Sequence, residues 1–185
     1  MAGVGEGEFP LTGTPIRNRV EFPYQATLNN REKIVTKTAE ATFALIIGSR
    51  LVHESALSSP LPADLGGQGF IDGAIVLKVG EVTLLDERFW DRLDESMLRL
   101  LQGLDQSIAG EEIELELPDT RLQIQLEPTG EGMGTCTIEY RETSIPLQET
   151  REAVKGCASR LLQATEAISL STPHLKELKH LLEGQ

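Results

Sequence analysis

Between residues 112 and 140 the chain alternates apolar and polar residues in three successive stretches. Ile113, Leu115 and Leu117 alternate with Glu112, Glu114 and Glu116. Leu122, Ile124 and Leu126 alternate with Gln123 and Gln125, and Cys136, Ile138 and Tyr140 with Thr135, Thr137 and Glu139. A period of two belongs to the β-strand, whose successive side chains point to opposite faces; a helix would scatter these residues around its axis. Pro118-Asp119 provides a turn after the first stretch, and the glycine-rich segment 128–134 leads into the third. The pattern predicts a three-strand antiparallel meander with one dry face and one wet face, to which Ser144-Ile145-Pro146 would add a short edge element.

On either side the period changes. Trp90, Leu93, Met97, Leu100, Leu101, Leu104 and Ile108 recur every three or four residues, which predicts a helix capped by Asp86 and ended by Gly110. A second long helix is expected over residues 148–168, burying Val154, Ala158, Leu161, Leu162 and Ile168. Thr172 and Pro173 read as the cap and first position of a last helix, with Leu175, Leu178, Leu181 and Leu182 on one stripe.

Towards the N-terminus, residues 1–18 hold several glycines and prolines and read as a flexible arm. Val20, Phe22, Tyr24, Ala26 and Leu28 have strand period, Asn29-Asn30 makes a turn, and residues 33–47 return as a second strand. A long loop spans residues 53–69, and strand character resumes at Phe70–Val79 and Val82–Leu85. The expected class is therefore α+β: one antiparallel sheet, made of the N-terminal strands and the meander, covered on one face by two long helices, with a short C-terminal helix. The expected division is an arm (1–18), a single domain (19–169) and a C-terminal amphipathic helix (170–185). A split into two domains at the 53–69 loop is the alternative.

Charge narrows the function classes. The chain has 29 acidic against 17 basic residues, a net charge of −12. Residues 1–85 carry 9 acids and 7 bases, whereas residues 86–185 carry 20 acids and 10 bases. Nucleic-acid binding draws much of its affinity from basic groups on phosphate, so direct contact with nucleic acid is not expected. No apolar run reaches the roughly 18 residues of a membrane helix, so no membrane partner is expected either. The acidic first residues do not fit a secretory leader, and two cysteines make no disulfide framework. These features point to the cytoplasm.

A search for chemistry singles out no catalytic, cofactor-binding or metal-binding residue. His174 and His180 are six apart, about 240° around a helix, unlike a metal-binding pair four apart. Cys136 and Cys157 have no ligand spacing, and Gly66-Gly67-Gln68-Gly69 lacks the lysine of a phosphate loop. The sequence neighbours His53, Glu54 and Ser55 do not make a catalytic triad, which is assembled in space.

What remains is surface. Five acids fall within residues 111–119. On the wet face of the meander Glu112, Glu114, Glu116, Gln123, Gln125 and Glu139 would lie side by side, glutamates on one strand about 7 Å apart. This face is either ordinary solvated surface or an acidic platform for a basic protein partner. The stripe of Leu175, Leu178 and Leu182 either docks on its own domain or meets another protein. The leading expectation is a non-enzymatic, immunity- or inhibitor-like binding module that neutralises a basic partner. The alternatives are a subunit or scaffold held by apolar surfaces, and an enzyme with its site near the 53–69 loop, where a pocket would hold His53 beside a carboxylate.

Overall fold

Ala41, Phe43, Leu45 and Ile47 on one side, with Glu40 and Thr42 on the other, give residues 39–47 the period of a strand. In the computed structural model, which describes residues 38–57, 61, 65 and 69–184, strand β1 (Ala39–Ile47) sends Ala41, Phe43 and Leu45 into the core. The expected strand at Val20–Leu28, its Asn29-Asn30 turn and the 1–18 arm lie outside the described residues. A two-residue turn with Gly48 at φ 63° returns the chain as β2 (Arg50–His53), a strand the sequence reading does not assign, since it ends its second strand at residue 47 and starts the loop at His53. Strands β3 (Asp72–Val79) and β4 (Val82–Leu85) form the next hairpin around Gly80. All neighbours are antiparallel, in the order β2-β1-β3-β4. Because β1 pairs β3 from Ala39 opposite Val79 to Leu45 opposite Gly73, the 53–69 loop joins adjacent strands and is not a domain boundary. The chain divides instead after Val35, and every described residue belongs to the unit Thr36–Gln185.

The first long helix begins later than its capping residue suggests. The Arg88 N–H donates to Asp86 Oδ1 at 3.0 Å, but the capped element is a single tight turn, Glu87–Phe89. The chain then extends as β5 (Asp91–Arg92), paired with Gly73 and Asp72, before α1 (Leu93–Ile108) starts. Trp90 therefore falls outside the helix and is half exposed, and Ile108 at the other end is also exposed. Leu93, Met97, Leu100, Leu101 and Leu104 are buried as their spacing predicts. At the C-terminal end Gly110, at φ 97°, donates to Ser107 O while Glu111 donates to Gln106 O, the paired bonds of a glycine-terminated helix.

The meander has four strands: β6 (Ile113–Glu116), β7 (Gln123–Gly130), β8 (Met133–Ile138) and β9 (Arg141–Pro146). They pair in sequence order and form a second sheet, so the single sheet of the sequence reading is two sheets within the same α+β class. The seven-residue loop expected at 128–134 shrinks to a two-residue turn at Glu131-Gly132, because β7 runs on through Pro128 to Gly130. Inward side chains Leu115, Leu117, Ile124, Leu126, Cys136, Ile138 and Ile145 join the common core. Helix α1 packs on both sheets, and at Gly103 it approaches the meander so closely that an added Cβ would lie 2.7 Å from Leu115 Cδ2. Helix α2 (Leu147–Glu166) lies along α1 and on β1.

Thr172 caps α3 (Pro173–Glu183) as expected, accepting from Leu175 N at 3.1 Å. Its hydroxyl donates in turn to buried Asp94, which also accepts from Ile71 N at 3.1 Å. One carboxylate thus ties α1, α3 and the segment before β3 together, and burial without these donors would cost several kcal/mol. None of the described helices is long and apolar enough to cross a membrane.

Candidate protein-docking surface

The register of the second sheet decides which side chains share its outer face. Glu114 lies opposite Gln125, Gln125 opposite Thr137, and Thr137 opposite Glu142, one row across all four strands. Glu116 lies opposite Gln123, and a further row runs Glu127, Thr135 and Ser144. The structure thus brings together Glu114, Glu116, Gln123 and Gln125 as the period of two required. Glu112 sits just ahead of β6, and Glu139 lies in the turn between β8 and β9, both exposed. The sequence reading missed Glu127 and Glu142. Glu127 continues the alternation of β7, and Glu142 follows from Thr143 and Ile145 once β9 is recognised.

Between residues 111 and 142 there are nine acids and two bases, Arg121 and Arg141. Among the described residues, Glu112, Glu114, Glu116, Glu127 and Glu142 form no ion pair. Arg99, the nearest base on α1, is used elsewhere: it donates to the Glu116 backbone carbonyl at 2.8 Å and to Glu95 at 2.6 Å. The face consequently carries an excess of negative charge on a hydrogen-bonded sheet, with Arg99 at its Glu116 edge and Arg121 at the turn end as the cations beside it.

One end of this face has more relief. The β6–β7 and β8–β9 turns meet there, around a hollow of about 270 Å³ lined by Thr120, Arg121, Leu122, Gln123, Gln125, Thr137, Glu139 and Tyr140. Three residues here hold left-handed backbone without being glycine: Arg121 (φ 54°), Glu139 (φ 49°) and Tyr140 (φ 65°). The sequence reading put Tyr140 on the dry face beside Cys136 and Ile138, but the strand ends at Ile138 and Tyr140 is fully exposed in the turn, at 101%. The β6–β7 turn is held from below by buried Asp91. Its carboxylate accepts from Asp119 N at 3.1 Å, Thr120 N at 2.8 Å and Thr120 Oγ1 at 2.9 Å. Nearby Asp72 is pushed above the usual carboxylate range by partial burial and by the charge of Asp119.

The C-terminal stripe is placed differently from a docking site. Leu175 and Leu178 are buried against α1 and α2, and Leu182 is half buried, so the helix spends its apolar face inside its own fold. The separate 170–185 element of the sequence reading is thus part of the core. His53 does meet a carboxylate, that of Glu87. Both are about half exposed, and His53 does not line the neighbouring cavity of about 490 Å³. That cavity is walled by Phe43, Leu57, Leu61, Ala164 and Ala167, with Arg160 paired to Glu54 at its edge. Burial pushes the thiols of Cys136 and Cys157 up to about 12, which keeps both protonated and unreactive at neutral pH. No protein-family model matches the chain, nor does any curated protein or solved structure.

Proposed function

We propose that the outer face of the meander is a docking surface for a basic protein, and that the chain is a non-enzymatic, cytoplasmic binding module that occupies and neutralises such a partner. The observation that carries this reading is the register: glutamates of three strands share one face and form no ion pair among the described residues. Such a face attracts positive charge over a Debye length of about 8–10 Å, which raises association rates at low salt. Its rigidity supports the reading as well. The paired strands beneath hold the backbone of the face in one register, so docking needs no rearrangement of the sheet and orders only the exposed side chains. The acidic half of the chain is where this surface lies, and the first 85 residues are close to neutral.

The test uses an oligolysine peptide as the probe and isothermal titration calorimetry over a salt series. The combined variant Glu112→Gln, Glu114→Gln, Glu116→Gln should bind roughly ten-fold more weakly at low salt and show a flatter salt dependence. An unchanged affinity at low salt refutes the docking surface.

A further inference from the structure

Tyr140 contributes nothing visible to the fold that carries it. Its side chain is fully exposed, and it makes no hydrogen bond, ion pair or ring contact with any described residue. Its backbone sits in the left-handed region, and so does that of its turn partner Glu139. A two-residue hairpin of this kind is normally built from Asn-Gly, because only such residues adopt the conformation without steric cost. A bulky aromatic here is a burden on folding that glycine would remove, so the ring's use lies outside the chain. It stands at the rim of the hollow, beside the Glu139 carboxylate and at the end of the row of glutamates. At this same end of the molecule Arg88 and Arg92 already lie over the rings of Phe89 and Phe70, at 5.2 and 4.8 Å.

Building on the docking surface proposed above, we infer that Tyr140 is its specificity-determining contact: the partner's basic segment stacks an arginine guanidinium on the outward face of this ring. Arg121 lines the hollow itself, so the incoming cation rests on the ring and not within the hollow. A guanidinium is planar and weakly hydrated, and it stacks on an aromatic face better than the compact ammonium of lysine. The glutamate rows attract either cation and themselves favour arginine through paired hydrogen bonds, so the ring's share is the part of the preference that its removal takes away.

Oligoarginine and oligolysine peptides of equal length, titrated calorimetrically into the full chain at low ionic strength, separate the two ideas. The unaltered protein is expected to hold oligoarginine roughly two- to five-fold tighter through the ring. Tyr140→Phe should keep that preference. Tyr140→Ala should lower it roughly two-fold or more with oligolysine affinity unchanged. A preference absent from the unaltered protein, or one that Tyr140→Ala leaves undiminished, overturns the arginine contact. It leaves the docking surface standing as long as the triple glutamine variant weakens both peptides. If neither peptide binds, or if binding ignores the glutamine substitutions, both the surface and the contact fall.

Discussion

Replacing Tyr140 with glycine should make this protein more stable. The residue holds φ 65° at the second position of a two-residue hairpin, with Glu139 at φ 49° before it. Left-handed backbone costs an L-residue with a Cβ about 1–2 kcal/mol, and glycine adopts it freely. Against this gain, glycine has more freedom to lose on folding, a cost of about 0.5–1 kcal/mol. The side chain itself enters neither side, because full exposure means that no buried area is lost. The net expectation is a stabilisation of about 0.5–1 kcal/mol, which for a chain of this size raises the melting temperature by roughly 1–4 °C. Tyr140→Ala is the control. It keeps the Cβ and the strain, removes the ring, and should stay within about 0.5 kcal/mol of the unaltered protein. Thermal melts followed by circular dichroism measure all three. If Tyr140→Ala costs 3 kcal/mol or so, as a packed aromatic does, the ring is structural and the reasoning fails. It fails equally if the glycine variant melts no higher than the alanine variant.

Two further perturbations probe the frame of the fold around the start of β3. At Gly73 an added Cβ would lie 2.3 Å from the Ala44 carbonyl oxygen and 3.0 Å from Leu93 Cδ2. Gly73→Ala should therefore destabilise by about 2–3 kcal/mol in urea denaturation, and near-neutrality would refute that close approach. Asp72 has its pKa raised above 3.8 by burial and by Asp119, so its charged form is less favoured in the fold than in the unfolded chain. The resulting cost is absent well below pH 3.8 and present in full once pH exceeds the folded-state value. Asp72→Asn should thus raise the melting temperature at neutral pH and lose that advantage in acid. An advantage that grows in acid would give the opposite sign.

What could be read from sequence follows from which interactions are local. The alternation of residues 112–126 fixed both the strands and the outward position of Glu114, Glu116, Gln123 and Gln125, because period needs no knowledge of partners. Only the end of the fourth strand, Ser144-Ile145-Pro146, was legible as a short edge element; its start was hidden because Glu139-Tyr140 carries no glycine or asparagine to announce a hairpin, so Tyr140 looked like one more inward residue. Asp86 is a genuine cap, yet the same side-chain bond serves a single tight turn as well as a long helix. What delays α1 is the pairing of Asp91 and Arg92 with β3, a contact about 19 residues distant in sequence. Division into two sheets was equally illegible, since periodicity says that a strand has a dry face but not which strand lies beside it. The meeting of His53 with Glu87 depends on the same non-local geometry.

The strict alternation of the meander separates two kinds of heritable change. Substitutions at Leu115, Ile124, Cys136 or Ile138 alter packing, whereas those at Glu114, Gln125, Thr137 or Glu142 leave every core contact in place. A lineage could therefore rewrite the outer row residue by residue while the fold beneath stayed constant. With a whole sheet of its own to vary, and no strand shared with the first sheet, the meander can diverge in surface chemistry faster than the protein diverges in architecture.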